Sequence, residues 1–103
     1  MKKYELTNDT VVVEGQTLYR IRALIDFANI KAGDLGGWIE HEANLSHDGD
    51  AWVYGNAKVF GDAWVYDDAE VCGNAKVYDD AQVCGTAWVY GSAEVCGNEK
   101  NKR

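Results

Sequence analysis

The run AWVYGNAKVFGDAWVYDDAEVCGNAKVYDDAQVCGTAWVYGSAEVCGN, from Ala51 to Asn98, divides without a remainder into eight successive six-residue units. In each unit the first residue is Ala and the third is Val, with variable residues at the second and fourth places. A small and a branched apolar side chain two residues apart give the period of a strand with one buried face. The fifth place holds Gly or Asp and the sixth Asn, Asp, Thr or Ser, the residue types that accept left-handed backbone angles at a bend. A strand and a bend every six residues predict a coiled ribbon. At three rungs per turn, successive coils pair as parallel strands about 4.8 Å apart.

Upstream the same register continues if corners lengthen. Ala28-Asn29-Ile30 opens a unit with a long corner, Gly37-Trp38-Ile39 opens a regular one, and Ala43-Asn44-Leu45 opens an eight-residue unit ending at Asp50. Ahead of these, Tyr4-Glu5-Leu6 and Thr10 to Val13 read as strands, and Leu18 to Leu24 read as a hairpin return after Glu14-Gly15. The open end of a coil exposes unpaired backbone and its Ala/Val interior, so a cap is needed. The expected organisation is a β-hairpin cap over residues 1–27, a repeat region over 28–98 and a polar tail over 99–103. Gly33, Gly36 and Gly37 read as corner residues of an early coil rather than a phosphate loop, because no helix and no Lys-Ser/Thr follows them.

Composition narrows the function. Ten Lys and Arg against 17 Asp and Glu give a net charge of −7, which disfavours a direct grip on nucleic acid or anionic membrane and favours basic partners. No apolar run approaches the ~18 residues needed to span a bilayer, and the opening MKKYELTND lacks the apolar core of a signal peptide. A cytoplasmic protein, in the cytoplasm of a bacterial host, is expected. Cys72, Cys84 and Cys96 are spaced so that each falls on a different side of the coil, so neither a disulfide, a metal site nor a cofactor is expected.

The repeat resembles the hexapeptide-repeat left-handed β-helix superfamily, best known for trimeric acyltransferases, over the last three quarters of the chain. The resemblance implies left-handed coiling. The fold class expected is therefore all-β, a short left-handed parallel β-helix of about three to four coils with an N-terminal β-hairpin cap. The segment LYRIRALIDFANIKAGDLGGWIEHEANLS followed by AWVYGNAKV is also similar to the start of small hexapeptide-repeat proteins of bacteria and their phages, often labelled putative transferases. That second resemblance implies a phage or prophage setting. Here, however, the place after the aliphatic residue holds Tyr, Phe or Cys, where many acyltransferase units carry a small or acidic residue.

Residues eighteen apart stack on one face. Face one carries Trp52, Glu70 and Trp88 beside Tyr54, Cys72 and Tyr90. Face two carries Trp38, Lys58, Lys76 and Glu94 beside Phe60, Tyr78 and Cys96, and face three carries Trp64 and Gln82 beside Tyr66 and Cys84. Aromatic ladders stiffen parallel coils by stacking, but contiguous exposed aromatics also mark interfaces. Trp52, Tyr54, Phe60, Trp64, Tyr66, Tyr78, Trp88 and Tyr90 are thus the candidate oligomer or partner surface, with the chain as a trimer or dimer. One edge collects Glu42, Asp62, Asp79 and Asp80, and a second collects Asp48, Asp50, Asp67 and Asp68. Corner chemistry alone explains such residues. As ridges, they also mimic a phosphate backbone and fit a basic, nucleic-acid-binding host protein, as an inhibitor of a defence nuclease would.

In the acyltransferases of the superfamily a histidine serves as general base at a cleft between subunits, with long loops forming the donor site. His41 and His47 both fall in corners, and no sizeable loop interrupts residues 51–98. The residues therefore read as a non-catalytic binding module with no catalytic residue. A minimal acyltransferase and a phage structural or assembly part are the alternatives.

Overall fold

The structure, a computed structural model, describes residues 2–98 and 100–102. Among these, β1 (Tyr4–Val13) and β2 (Gln16–Ala23) form a hairpin, followed by β3 (Leu35–Ile39) and a 3-10 turn at Glu42–Asn44. Then come the short rungs β4 (Trp52–Val53), β5 (Lys58–Val59), β6 (Trp64–Val65), β7 (Glu70–Val71), β8 (Lys76–Val77), β9 (Gln82–Cys84), β10 (Trp88–Val89), β11 (Glu94–Val95) and β12 (Lys100–Lys102). They stack as three parallel sets, β3-β5-β8-β11, β4-β7-β10 and β6-β9-β12, one on each side of a prism of about three turns. The expected all-β parallel β-helix with a hairpin cap is what the chain forms.

The register is the eighteen-residue one: Trp52 lies beside Glu70, Glu70 beside Trp88, Lys58 beside Lys76 and Trp64 beside Gln82. Trp38 pairs with Lys58 because the longer unit Ala43–Asp50 displaces the count by two. The repeat's Ala and Val side chains are buried from Ala51 to Val95, Ala93 excepted, and form the axial core. Backbone N–H groups of one coil donate to carbonyls of the next, as from Trp52 to Ala69 (3.1 Å) and from Glu70 to Ala87 (3.0 Å). Each corner takes a positive φ at the fifth place. Asp67 (φ 61°) and Asp79 (φ 60°) do so without the freedom of glycine.

Three expectations need correction. Ala28-Asn29-Ile30 is no rung: Phe27 and Ile30 exchange backbone hydrogen bonds (3.0 and 2.7 Å) across a tight turn with Ala28 at φ 48°. Gly36 and Gly37 are buried strand residues of β3, not corners, and a Cβ on Gly36 would lie 2.7 Å from Val53 O and from the Trp52 ring. Lys100–Lys102, expected in the polar tail, pairs in parallel with β9 and continues the coil, because its backbone meets the same ladder that the upstream rungs use.

The hairpin does more than cover an end. β2 pairs antiparallel with β3, so the hairpin extends the β3-β5-β8-β11 sheet before the chain start folds over the first coil. The two-residue turn at Glu14 (φ 51°) and Gly15 (φ 81°) matches the twist of the strands that it joins. Tyr4, Ile21 and Ala23 enter the same core as the repeat residues.

Candidate functional site

Polar chemistry concentrates where the chain start crosses the first coil. Lys3 is buried, and its Nζ donates to Ala51 O (2.7 Å) and Gly49 O (3.2 Å) while lying 4.8 Å from the centre of the Phe27 ring. Burial pushes the Lys3 ammonium down to about 8, opposed by the carboxylates of Asp50, Asp48 and Asp68. The Tyr4 hydroxyl lies 2.6 Å from Leu45 O and 2.9 Å from Glu42 O, and burial raises its pKa well above the ordinary phenol value.

The two histidines differ. His47 stacks on Tyr4 with ring centres 4.1 Å apart, its Nδ1 accepts the Lys3 backbone N–H (3.0 Å), and its Nε2 lies 2.9 Å from Glu42 Oε1. Both ring nitrogens are engaged in holding the cap. Hydrogen bonds from His47, then from Lys2, hold the Glu42 carboxyl below the usual range. His41 is half exposed, with Nε2 3.4 Å from Glu40 Oε1. Glu40 in turn accepts the Gly61 N–H at 2.8 Å.

Asn44, which the sequence presents as an ordinary rung residue, fixes this corner. It is fully buried, its Oδ1 accepts the N–H groups of Glu40 (3.0 Å) and His41 (2.8 Å), and its Nδ2 donates to Ala63 O (2.9 Å) and Gly61 O (3.2 Å). The readable signal was a short Asn at a place where regular units carry the longer Trp, Lys, Glu or Gln.

The structure divides the eight aromatic candidates. Trp52 is buried at the edges of Phe27 and Tyr4, and Phe60 is buried against Tyr78 with ring centres 5.2 Å apart. Tyr54 and Tyr78 are partly covered, and the Tyr78 hydroxyl donates to Glu94 Oε1 (2.9 Å). The more open aromatics form two separate pairs: exposed Trp64 with half-buried Tyr66, ring centres 3.9 Å apart, and exposed Trp88 with exposed Tyr90, 4.8 Å apart. Face one is thus no continuous row, because the cap absorbs Trp52.

The carboxylate ridges are partly spent on the fold. Asp67 Oδ2 accepts the Gly85 N–H (3.0 Å), Asp79 Oδ2 accepts the Gly97 N–H (3.2 Å), and Asp68 Oδ1 accepts the Asp50 N–H (3.1 Å). Glu42 pairs with Lys2 at 3.1 Å. Asp48, Asp50, Asp62 and Asp80 lie exposed along the corners. Among the described residues no group of three His, Cys, Asp or Glu side chains could hold a metal ion, and no helix is long and apolar enough to cross a membrane.

Unbroken six-residue units, eighteen-residue stacking and an Ala/Val axis define the chain as a hexapeptide-repeat β-helix protein. No family model matches the sequence. Over 62 residues the chain is 34% identical to a protein of Escherichia coli (strain K12) named uncharacterized acetyltransferase YdcK, a match that takes in 52% of this chain and 19% of that protein. The chain thus spans about a fifth of that relative. This relation overturns the expectation of a chain that is not an enzyme. That expectation rested on few histidines and short corners.

Proposed function

We propose that this chain is the β-helical part of an acetyl-transferring enzyme, with His41 as the proton acceptor. The observation that carries the reading is the Glu40–His41 pair: a carboxylate pinned by a backbone N–H, 3.4 Å from Nε2 of a half-exposed imidazole. Glu40 favours the tautomer with the proton on Nε2, and Nδ1, which faces the Asn44 backbone N–H, would exchange that contact for the acceptor's proton. An acceptor amine or hydroxyl would attack the carbonyl carbon of an acetyl thioester while His41 removes its proton. The imidazolium would then return that proton to the departing thiolate. His47 is unsuited, since cap contacts engage both its nitrogens.

Self-association belongs to this reading, because a second copy would wall a corner that is open in one chain. Trp88, 54% exposed, and Tyr90, 59% exposed, are the surface for it. The alternative of a decoy that presents carboxylate rows to a basic host protein has less support, since Asp67, Asp68, Asp79 and Glu42 already serve the chain's own backbone and cap. The test is thiol release from acetyl-coenzyme A over a panel of amine and hydroxyl acceptors. Turnover that falls by ~100-fold or more in His41→Ala is expected. Absence of both turnover and calorimetric binding of acetyl-coenzyme A would overturn the proposal.

A further inference from the structure

On face three, where β6 meets the corner of the preceding coil, Ser46, Asp48, Gly49, Trp64, Tyr66 and Asp67 line an open pocket of about 250 Å³. Its floor is a two-ring slab. Trp64 and Tyr66 stack at 3.9 Å with 25° between their planes, and Trp64 remains 42% exposed, although burying an indole is among the larger gains available to a small fold. The walls are held in place without a ligand. Asp48 N–H donates to Ser46 Oγ (3.0 Å), Ser46 Oγ donates in turn to Asp48 O (3.2 Å), and Asp67 is tied to the next coil through Gly85. Gly49 packs so closely on Asp67 that a Cβ there would lie 2.5 Å from Asp67 O. The Tyr66 hydroxyl donates to Gln82 Oε1 at 3.1 Å.

We infer that this pocket binds an organic cation, an ammonium or guanidinium group seated on the open outer face of the Trp64–Tyr66 stack beside the carboxylates of Asp48 and Asp67. Aromatic faces carry negative potential and attract cations, most strongly when carboxylates stand beside them. The lining contains no Lys, Arg or His, so an anion would meet only like charge. Lys3 lies behind the Gly49 wall, donating to Gly49 O, but Asp48, Asp50 and Asp68 around it keep this corner net negative. Its ammonium, 4.8 Å from the Phe27 ring, shows the same aromatic and carboxylate pairing on the inner side of the corner. The volume suits a short amine or the end of a Lys or Arg side chain. Because the walls are already ordered, binding costs little conformational entropy.

The experiment follows the four indole N–H resonances of the isotope-labelled protein during titration with tetramethylammonium and agmatine. Its peptide arm is acetyl-Gly-Arg-Gly-amide, and tert-butanol serves as the neutral shape control. Only Trp64 is expected to shift, saturating at roughly millimolar cation, as befits a small ligand held by one cation–π site. Asp48→Asn should weaken agmatine binding several-fold and flatten its salt dependence. A peptide that binds more tightly than agmatine assigns the cation to a protein side chain, and the reverse order assigns it to a free amine. No Trp64 shift at ~50 mM cation, equal response to tert-butanol, or an equal shift of Trp88 would overturn the inference. Loss of acetyl transfer in His41→Ala would leave these shifts unchanged.

Discussion

Replacing Asn44 with Ala removes four hydrogen bonds from a fully buried side chain: two accepted from Glu40 and His41 N–H, two donated to Gly61 and Ala63 carbonyls. At a net ~0.5–1.5 kcal/mol per bond, with two backbone donors left to find partners, the loss should be about 3 kcal/mol. For a domain whose total stability is of order 5–15 kcal/mol that is a large share. With a urea m-value near the low end of ~1–3 kcal/mol/M, the unfolding midpoint should fall by ~2 M. Asn44→Asp separates hydrogen bonding from shape. It keeps the acceptor for Glu40 and His41 but turns a second oxygen toward the carbonyls of Gly61 and Ala63. At neutral pH it should be at least as damaging as Ala, and its stability should recover as the carboxyl protonates and regains a donor. Urea unfolding followed by tryptophan fluorescence reads both. A midpoint for Asn44→Ala corresponding to less than ~0.5 kcal/mol of loss, or an Asn44→Asp variant as stable as the parent at pH 7, would refute the assignment.

Lys3, with a folded pKa of about 8 against 10.5 for the free group, releases its proton on the folded chain first, so stability should rise between pH 8 and 10. The rise should reach at most ~2 kcal/mol, reverse above pH 10 as the unfolded chain's tyrosines ionise ahead of Tyr4, and vanish in Lys3→Met; urea midpoints across this range measure it. Light scattering on a size-exclusion column should give a mass above 11.4 kDa, and Trp88→Asp, which touches no Ala/Val core position, should return it to the monomer. Gly36→Ala should cost about 3 kcal/mol or more in thermal unfolding, because its Cβ would meet Val53 O and the Trp52 ring at 2.7 Å, where backbone cannot yield cheaply.

Much of the fold was legible because the repeat is local. Ala and Val two apart followed by a bend set the coil, and the unit length sets which residues stack, so the neighbours of Trp52, Trp64 and Lys58 could be written from residue numbers alone. The site was far less legible. His41 and His47 are equivalent as corner residues, and only the tertiary structure brings Lys3 and Tyr4, some forty residues away in sequence, onto His47 beside its local partner Glu42, while His41 stays half exposed. Trp52 and Trp88 occupy the same place in their units, yet the cap buries the first and leaves the second exposed. Periodicity thus determined the interior and the stacking, since both follow from one repeated local bend. Which polar and aromatic groups remain available for chemistry was decided by tertiary structure, because the single non-repeating element, the hairpin, chooses what it covers by long-range contact.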